Sequence, residues 1–344
     1  MGLITIDELQ RASKKYEATL QTLPFMVMEE VTNQLGINLL EVANKDTLVQ
    51  FQRKGGIAKP YIADNINYTT EIGKAAERTL QVETCVAVLK DHIMNYKEKL
   101  VATNDPLAQK VNNQTKKHPM EQLVLESMIR SVAEDIIDAM FFSERDTNNQ
   151  SPLGMFTGFN PLLDLEIASG EISLSKGNYR ATGELLAPAD ENDFEAYDKI
   201  VAFIRSANPQ LRKNGILLIP DNALFNVMDA LGNKIKYKGS FEFDVFLNHL
   251  RGATNTPNLS LRSSIALGSG SRLIYTKPGN FDLGMNTITD KQFVQVRTPY
   301  EDPNYVQFWN QFDLGARIRS IHAKEILVND ESNVGIEMSG DYNS

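Results

Sequence analysis

Five short groups of residues carry side chains able to do chemistry. Asp190-Glu191 with Asp193, and Glu301-Asp302 before Pro303, are acidic clusters. Paired carboxylates do general acid–base work or hold a hard cation. The same residues also make solvated turns, and the turn is the preferred reading of both. Cys85 is the one cysteine, and a thiol needs a base or a cation beside it to become a nucleophile. It lies in an alternating segment with His92 seven residues on, so a strand presents no imidazole to it and a packed thiol is expected. Gly268-Ser269-Gly270 is a fragment of a phosphate-cradling loop, but it stands between two apparent strands and reads as a hairpin turn. Arg53-Lys54 beside Gly55-Gly56 is a small basic tip, too sparsely charged for a nucleic-acid site and a candidate contact between subunits.

No larger catalytic constellation surrounds these groups. GxxxxGK[ST], HExxH, GxSxG and CxxC are all absent. His92, His118, His249 and His322 are too scattered for a structural zinc site. No cofactor and no metal is expected, and the chain is not expected to be an enzyme. Residues that only folding brings together keep a soluble α/β enzyme open as an alternative, with Asp190, Glu191, Asp193 or the 268–272 turn as its site.

The elements that hold these residues follow from periodicity. Leu9, Ala12, Tyr16 and Leu20 share one face of a helix over 5–21, with Thr5 and Glu8 as a capping box, Ile4 and Leu9 as a staple, and Pro24 as its end. A second helical stretch runs over 25–43 and is interrupted at Gly36. TLVQFQ at 47–52 alternates, RKGGIAKP at 53–60 makes an exposed tip, and 78–89 alternates long enough to predict one long strand. The clearest helix spans 119–142, opened by Pro119, with Leu123, Val124, Met128, Val132 and Ile136 opposite Glu126, Glu134, Asp135 and Asp138.

Beyond a polar stop at 143–154 the chain reads as α/β. A helix is expected at 195–211, a buried strand at 215–220, a helix at 221–233 capped by Asp221 and Gly232, a helix at 241–252, and strand–turn–strand at 260–279. Residues 291–303 and 304–330 are extended, and 331–344 are polar and loosely ordered.

The balance of 35 Lys+Arg against 44 Asp+Glu leaves a net charge of −9, which argues against general affinity for phosphate backbones. One cysteine forbids an internal disulfide framework. No apolar run is long enough to span a membrane, and the first residues lack a signal-peptide layout, so a cytoplasmically made, soluble protein is expected.

The order of parts resembles the major capsid protein of tailed bacteriophages, the HK97 fold. Four segments carry the resemblance: the helix at 119–142, the Gly154–Phe159 turn, KNGILLIPDNALFNVMDAL, and above all VQVRTPYEDPNYVQFWNQFDLGARIRSIHAKEILVND with Gly315, Arg317, Arg319, Glu325 and Asn329. It implies an α+β fold with an N-terminal arm (1–46), an extended E-loop hairpin (47–100), a peripheral domain with a long spine helix (101–158), an axial α/β domain (159–282), peripheral closing strands (283–334) and a tail (335–344).

The resemblance implies a structural function, self-assembly into an icosahedral or prolate head shell around double-stranded DNA. Many copies would gather as hexamers and pentamers, with a portal protein, a scaffolding protein and decoration or cement proteins as partners. No scaffold-like coiled coil precedes the arm, so the scaffold is expected to be a separate chain. Packaged DNA would touch the shell only non-specifically, and an acidic wall suits that. No membrane is involved. The shell would form in the host cytoplasm and become the virion capsid. No partners for covalent Lys–Asn cross-links can be placed, so cohesion is expected to be non-covalent. An encapsulin-type compartment of the same fold is the nearest alternative. The resemblance makes Leu9, Tyr16, Arg53, Lys54, Gly55, Gly56, Glu77, Arg78, Arg317 and Arg319 the candidate intersubunit contacts.

Overall fold

A computed structural model describes residues 6–53, 73–92, 120–149, 151–236, 242–286, 294–299 and 304–335. Helix α1 (Ile6–Lys15) turns Leu9 and Ala12 inward, with acids in its first turn and lysines in its last, which suits the helix dipole. The chain bends at Tyr16 and resumes as α2 (Glu17–Leu35), which Gly36 ends at φ 73°. Pro24 therefore does not end the first helix; it lies buried inside α2. Its missing N–H removes one helical bond, and the burial of Leu20, Leu23 and Met28 around it holds the helix through. The helical stretch expected to reach 43 stops at Gly36, and Ile37–Glu41 is strand β1. Thr5 and Ile4, expected to cap and staple the first helix, lie outside the described residues.

Strands β2 (Lys45–Arg53) and β3 (Gly73–Gln81) form an antiparallel ribbon registered from Lys45↔Gln81 to Arg53↔Gly73. The single long strand expected over 78–89 is instead the end of β3 and the start of β4 (Glu83–His92), separated at Val82. Alternation runs unbroken through the junction, but the two pieces pair with different partners: β3 with β2, and β4 with β12. Thus β3 returns the ribbon, while β4 belongs to the body.

Helix α3 (Met120–Ala139) buries Val124, Met128, Val132 and Ile136 beneath α1 and α2. At 20 residues it is about 30 Å long. Burial, and for Asp135 the neighbouring Asp138 and Glu134, push the Asp135 and Asp138 carboxyls above their ordinary range. The short helix α4 (Phe159–Ala168) follows a tight return in which Gly158 donates to the Ser143 carbonyl at 2.7 Å.

The second half contains β5 (Tyr179–Arg180), α5 (Glu195–Ser206), α6 (Pro209–Asn214), β6 (Ile216–Leu218), α7 (Asp221–Ile235) and α8 (Phe243–Thr254). It ends with β7 (Ser260–Arg262), β8 (Ser269–Gly270), β9 (Ile274–Thr276), β10 (Phe281–Asn286), β11 (Val294–Arg297), β12 (Tyr305–Ile318), β13 (Ile326–Asn329) and β14 (Asn333–Val334). Asn208-Pro209 splits the helix expected at 195–211, because Asn208 caps α6 by accepting from Gln210 N–H at 3.0 Å. Asp221 is the first helical residue of α7 rather than its cap, Gly232 is buried within it, and Lys236 ends it at φ 55°.

Two five-stranded sheets organise these parts. In the first, the long β12 carries β4 along one edge and β10 and β11 in tandem along the other, and β1 lies parallel outside β10. The second runs β5-β13-β9-β6-β7. The hairpin expected at 260–279 is not formed, because β6 lies between β7 and β9. The expected boundary at 282 falls inside β10, and β13, placed among the peripheral closing strands, pairs with β9 and β5 in the second sheet.

The second sheet is buried on both faces. Ile216, Leu218, Ile274, Ile326 and Val328 face a core shared with α1–α4 and the first sheet. The alternate residues Leu217, Tyr275 and Leu327 face a separate core under α5, α7 and α8. This period of two explains why GILLIP is apolar throughout.

Candidate assembly site

The ribbon is the least self-supporting part of the body. Nine paired residues make it about 30 Å long. Thr47, Val49, Glu77 and Thr79 are exposed along it, Val49 by 58%. A lone two-stranded ribbon is marginal in water, so its root must be held firmly.

Asp282 on β10 does this. Its carboxylate is completely buried and receives two arginines of β12. Arg317 donates to its Oδ2 through Nη2 at 2.6 Å and Nε at 3.0 Å. Arg319 Nε lies 2.7 Å from Oδ1, and the Asn38 carboxamide donates to the same oxygen at 2.9 Å. Arg317, only 4% exposed, also reaches the ribbon, donating to the Asp46 carbonyl at 3.1 Å, the Asp46 carboxylate at 3.1 Å and the Arg78 carbonyl at 3.4 Å. One guanidinium thus grips both ribbon strands against a buried counter-charge. On the opposite side Arg78 pairs with Glu166 of α4 at 2.8 Å and donates to the Ile318 carbonyl at 3.3 Å.

The crossing needs space as well as charge. Gly284 of β10 and Gly315 of β12 are directly opposite one another. A Cβ on Gly315 would run into the Gln81 carbonyl oxygen, and one on Gly284 would come within 2.8 Å of Leu80 Cδ2. The glycine pair forms the slot through which the β3–β4 junction passes, floored by Val42, Leu80 and Val82. Gly315→Val is expected to displace the ribbon root and cost about 1–3 kcal/mol, as overpacking does. Chemical denaturation checks this, and unchanged stability would refute the slot.

The structure brings Arg78, Arg317 and Arg319 together, with Glu77 exposed beside them, and turns the arginines inward as anchors. Leu9 is fully buried in the chain's own core and Tyr16 is half-buried beside it. Arg53 ends β2; Lys54, Gly55 and Gly56 lie outside the described residues, as do Glu301 and Asp302. Asp46, Glu166 and Asp282 were missed. The signal for Asp282 is a single acid inside the apolar run FDLGMN, two strands' reach from ARIR.

The other candidates are structural. Asp193 accepts from Ala189 and Glu195 N–H at 2.9 and 3.0 Å, which holds its carboxyl below the usual range, and Asp190 accepts from Asn192 N–H. They shape the turn into α5. Burial pushes the Cys85 thiol up to about 11, far from a thiolate near neutrality. Gly268 and Gly270 adopt positive φ, and the Ser269-Gly270 strand pairs with β14 rather than closing a hairpin. Among the described residues no cluster of three or more His, Cys, Asp or Glu could hold a metal, and no helix is long and apolar enough to cross a membrane.

No protein-family model matches the chain, and no curated protein matches it. Solved structures do. A chain of the satellite phage P4 procapsid that includes the size determination (Sid) protein aligns at TM-score 0.50, with 10% identity over 88% of this chain and 97% of that one. The capsid of an empty GTA particle gives TM-score 0.51 and 13% identity over 88% and 89%. The capsid of a native GTA particle gives 0.50 and 13% over 88% and 96%. At such identities the likeness is one of fold, and it spans nearly the whole of each chain. The ribbon, the long helix, the sheet that anchors them and the second α/β core together are the HK97-like α+β fold, shared with the phage P4 procapsid and GTA capsid chains.

Proposed function

We propose that this chain is the major subunit of a phage-type capsid and that its activity is self-assembly into a closed shell around DNA. The observation that carries this is the ribbon, an exposed element whose root is fixed by a buried Asp–Arg cluster. A buried ionic cluster is a poor way to gain stability and a good way to fix an angle. A ribbon fixed in angle and open along its length gains burial on another copy. Such contacts are heterologous, using different surfaces on the two partners, and close into rings when the rotation allows.

In this reading the rings are hexamers and pentamers around the α5–α8 core, and a portal, a scaffold and decoration proteins complete the head. Arg53 and Glu77 are ribbon contacts, while Arg78, Arg317 and Arg319 act from behind by holding its root. The chain with its net charge of −9 holds DNA only loosely. Assembly takes place in the host cytoplasm and the product is the virion capsid.

Electron microscopy of the purified chain, alone and co-expressed with its neighbouring genes, tests this. Rings, tubes or shells are expected; dispersed monomers under both conditions would overturn it.

A further inference from the structure

Two strand edges are left open among the described residues. Strand β4 pairs only with β12, and β2 pairs only with β3. An open strand edge is a template for another strand, and proteins that must stay apart blunt it with proline, bulges or brevity. Strand β4 has none of these. It is ten residues long, contains no Pro or Gly, and exposes Val86, Val88 and Leu89. Strand β2 is nine residues long and likewise free of Pro and Gly.

We infer that the β2 edge of one copy adds antiparallel to the β4 edge of the next, so that the ribbon extends the neighbour's first sheet. The inference rests on the self-assembly reading and names its docking surface. Charge complementarity sets the register. Pairing Lys45 with Asp91 places Asp46 opposite Lys90 and Arg53 opposite Glu83, with Leu48 opposite Val88 between them. Three opposite-charge pairs then flank an apolar centre, and no like charges meet. Sliding two residues either way loses all three pairs, and the parallel alignment centred on the same residues keeps only two. Main-chain hydrogen bonds would supply affinity along the edge, and the end charges would supply register.

The test uses assembled particles in a Cys85→Ser background. Copies carrying Thr47→Cys are mixed with copies carrying Leu89→Cys and mildly oxidised. The antiparallel register predicts a cross-linked dimer as the main product on a non-reducing gel, while the parallel one places Thr47 opposite residue 85 and predicts none. Separately, Lys45→Glu is expected to lower particle yield at least tenfold, and adding Asp91→Lys to restore it. If the parent chain forms particles but the cysteines do not cross-link and Lys45→Glu assembles normally, this docking is wrong while the capsid reading stands. A parent chain that stays monomeric overturns both.

Discussion

Replacing Arg317 by Met is expected to lower stability by about 3–5 kcal/mol, the cost of leaving a buried charge without its main partner. Asp282 would keep Arg319 and Asn38 but lose the guanidinium that makes two of its contacts. The loss also frees Asp46 and the Arg78 carbonyl, so the ribbon root should loosen before the rest of the chain. Denaturant melts would show the change in midpoint, and amide exchange would show early opening at 46–48 and 78–81. The double variant Asp282→Leu with Arg317→Met is expected to be more stable than Arg317→Met alone, because no buried charge is then left unpaired. A single variant as stable as the parent would mean that the cluster is hydrated and anchors nothing.

Shortening the ribbon should separate folding from assembly. Leu48 and Arg78 are register partners, so residues 49–77 can be replaced by an Asn-Gly turn that closes a two-residue hairpin. The root, with Asp46, Arg78 and Arg317, is retained. The shortened chain is expected to stay within about 0.5 kcal/mol of the parent, as changes away from the core do. Particle formation is expected to vanish, as read by light scattering after size-exclusion chromatography. Normal shells from the shortened chain would remove the ribbon from the assembly mechanism.

Much of this architecture was legible locally. The helix over 119–142 and the strand–helix unit GILLIPDNALFNVMDAL are read from periodicities of 3.6 and 2, which one segment carries by itself, and α3, β6 and α7 occupy them. The misreadings share one cause. Alternation across residues 78–89 says that the chain is extended, but not that its two halves choose different partners. Pro24 reads as a stop because the sequence does not display the packing that carries α2 past it. Arg317 and Arg319 alternate along a strand and so look like surface charges. The acid that draws them inward is 35 and 37 residues earlier, and nothing in either segment names the other. The hub joins positions from Asn38 to Arg319, and such a site exists only after folding.

The pairing of β1 with β10 has a consequence in time. The two strands are separated by 244 residues, and at about 5–20 residues per second that is roughly 12–50 s of synthesis. Throughout this interval α1, α2, β1 and the ribbon strands are already made, but Asp282, Arg317 and the glycine slot are not. The first sheet is therefore dominated by non-local contacts and should form late and slowly. A ribbon made early has no fixed direction until the last fifth of the chain arrives to clamp it. Premature partners on the same polysome would meet a swinging tether rather than an aimed arm, so the order of synthesis postpones recognition between copies until each copy is complete.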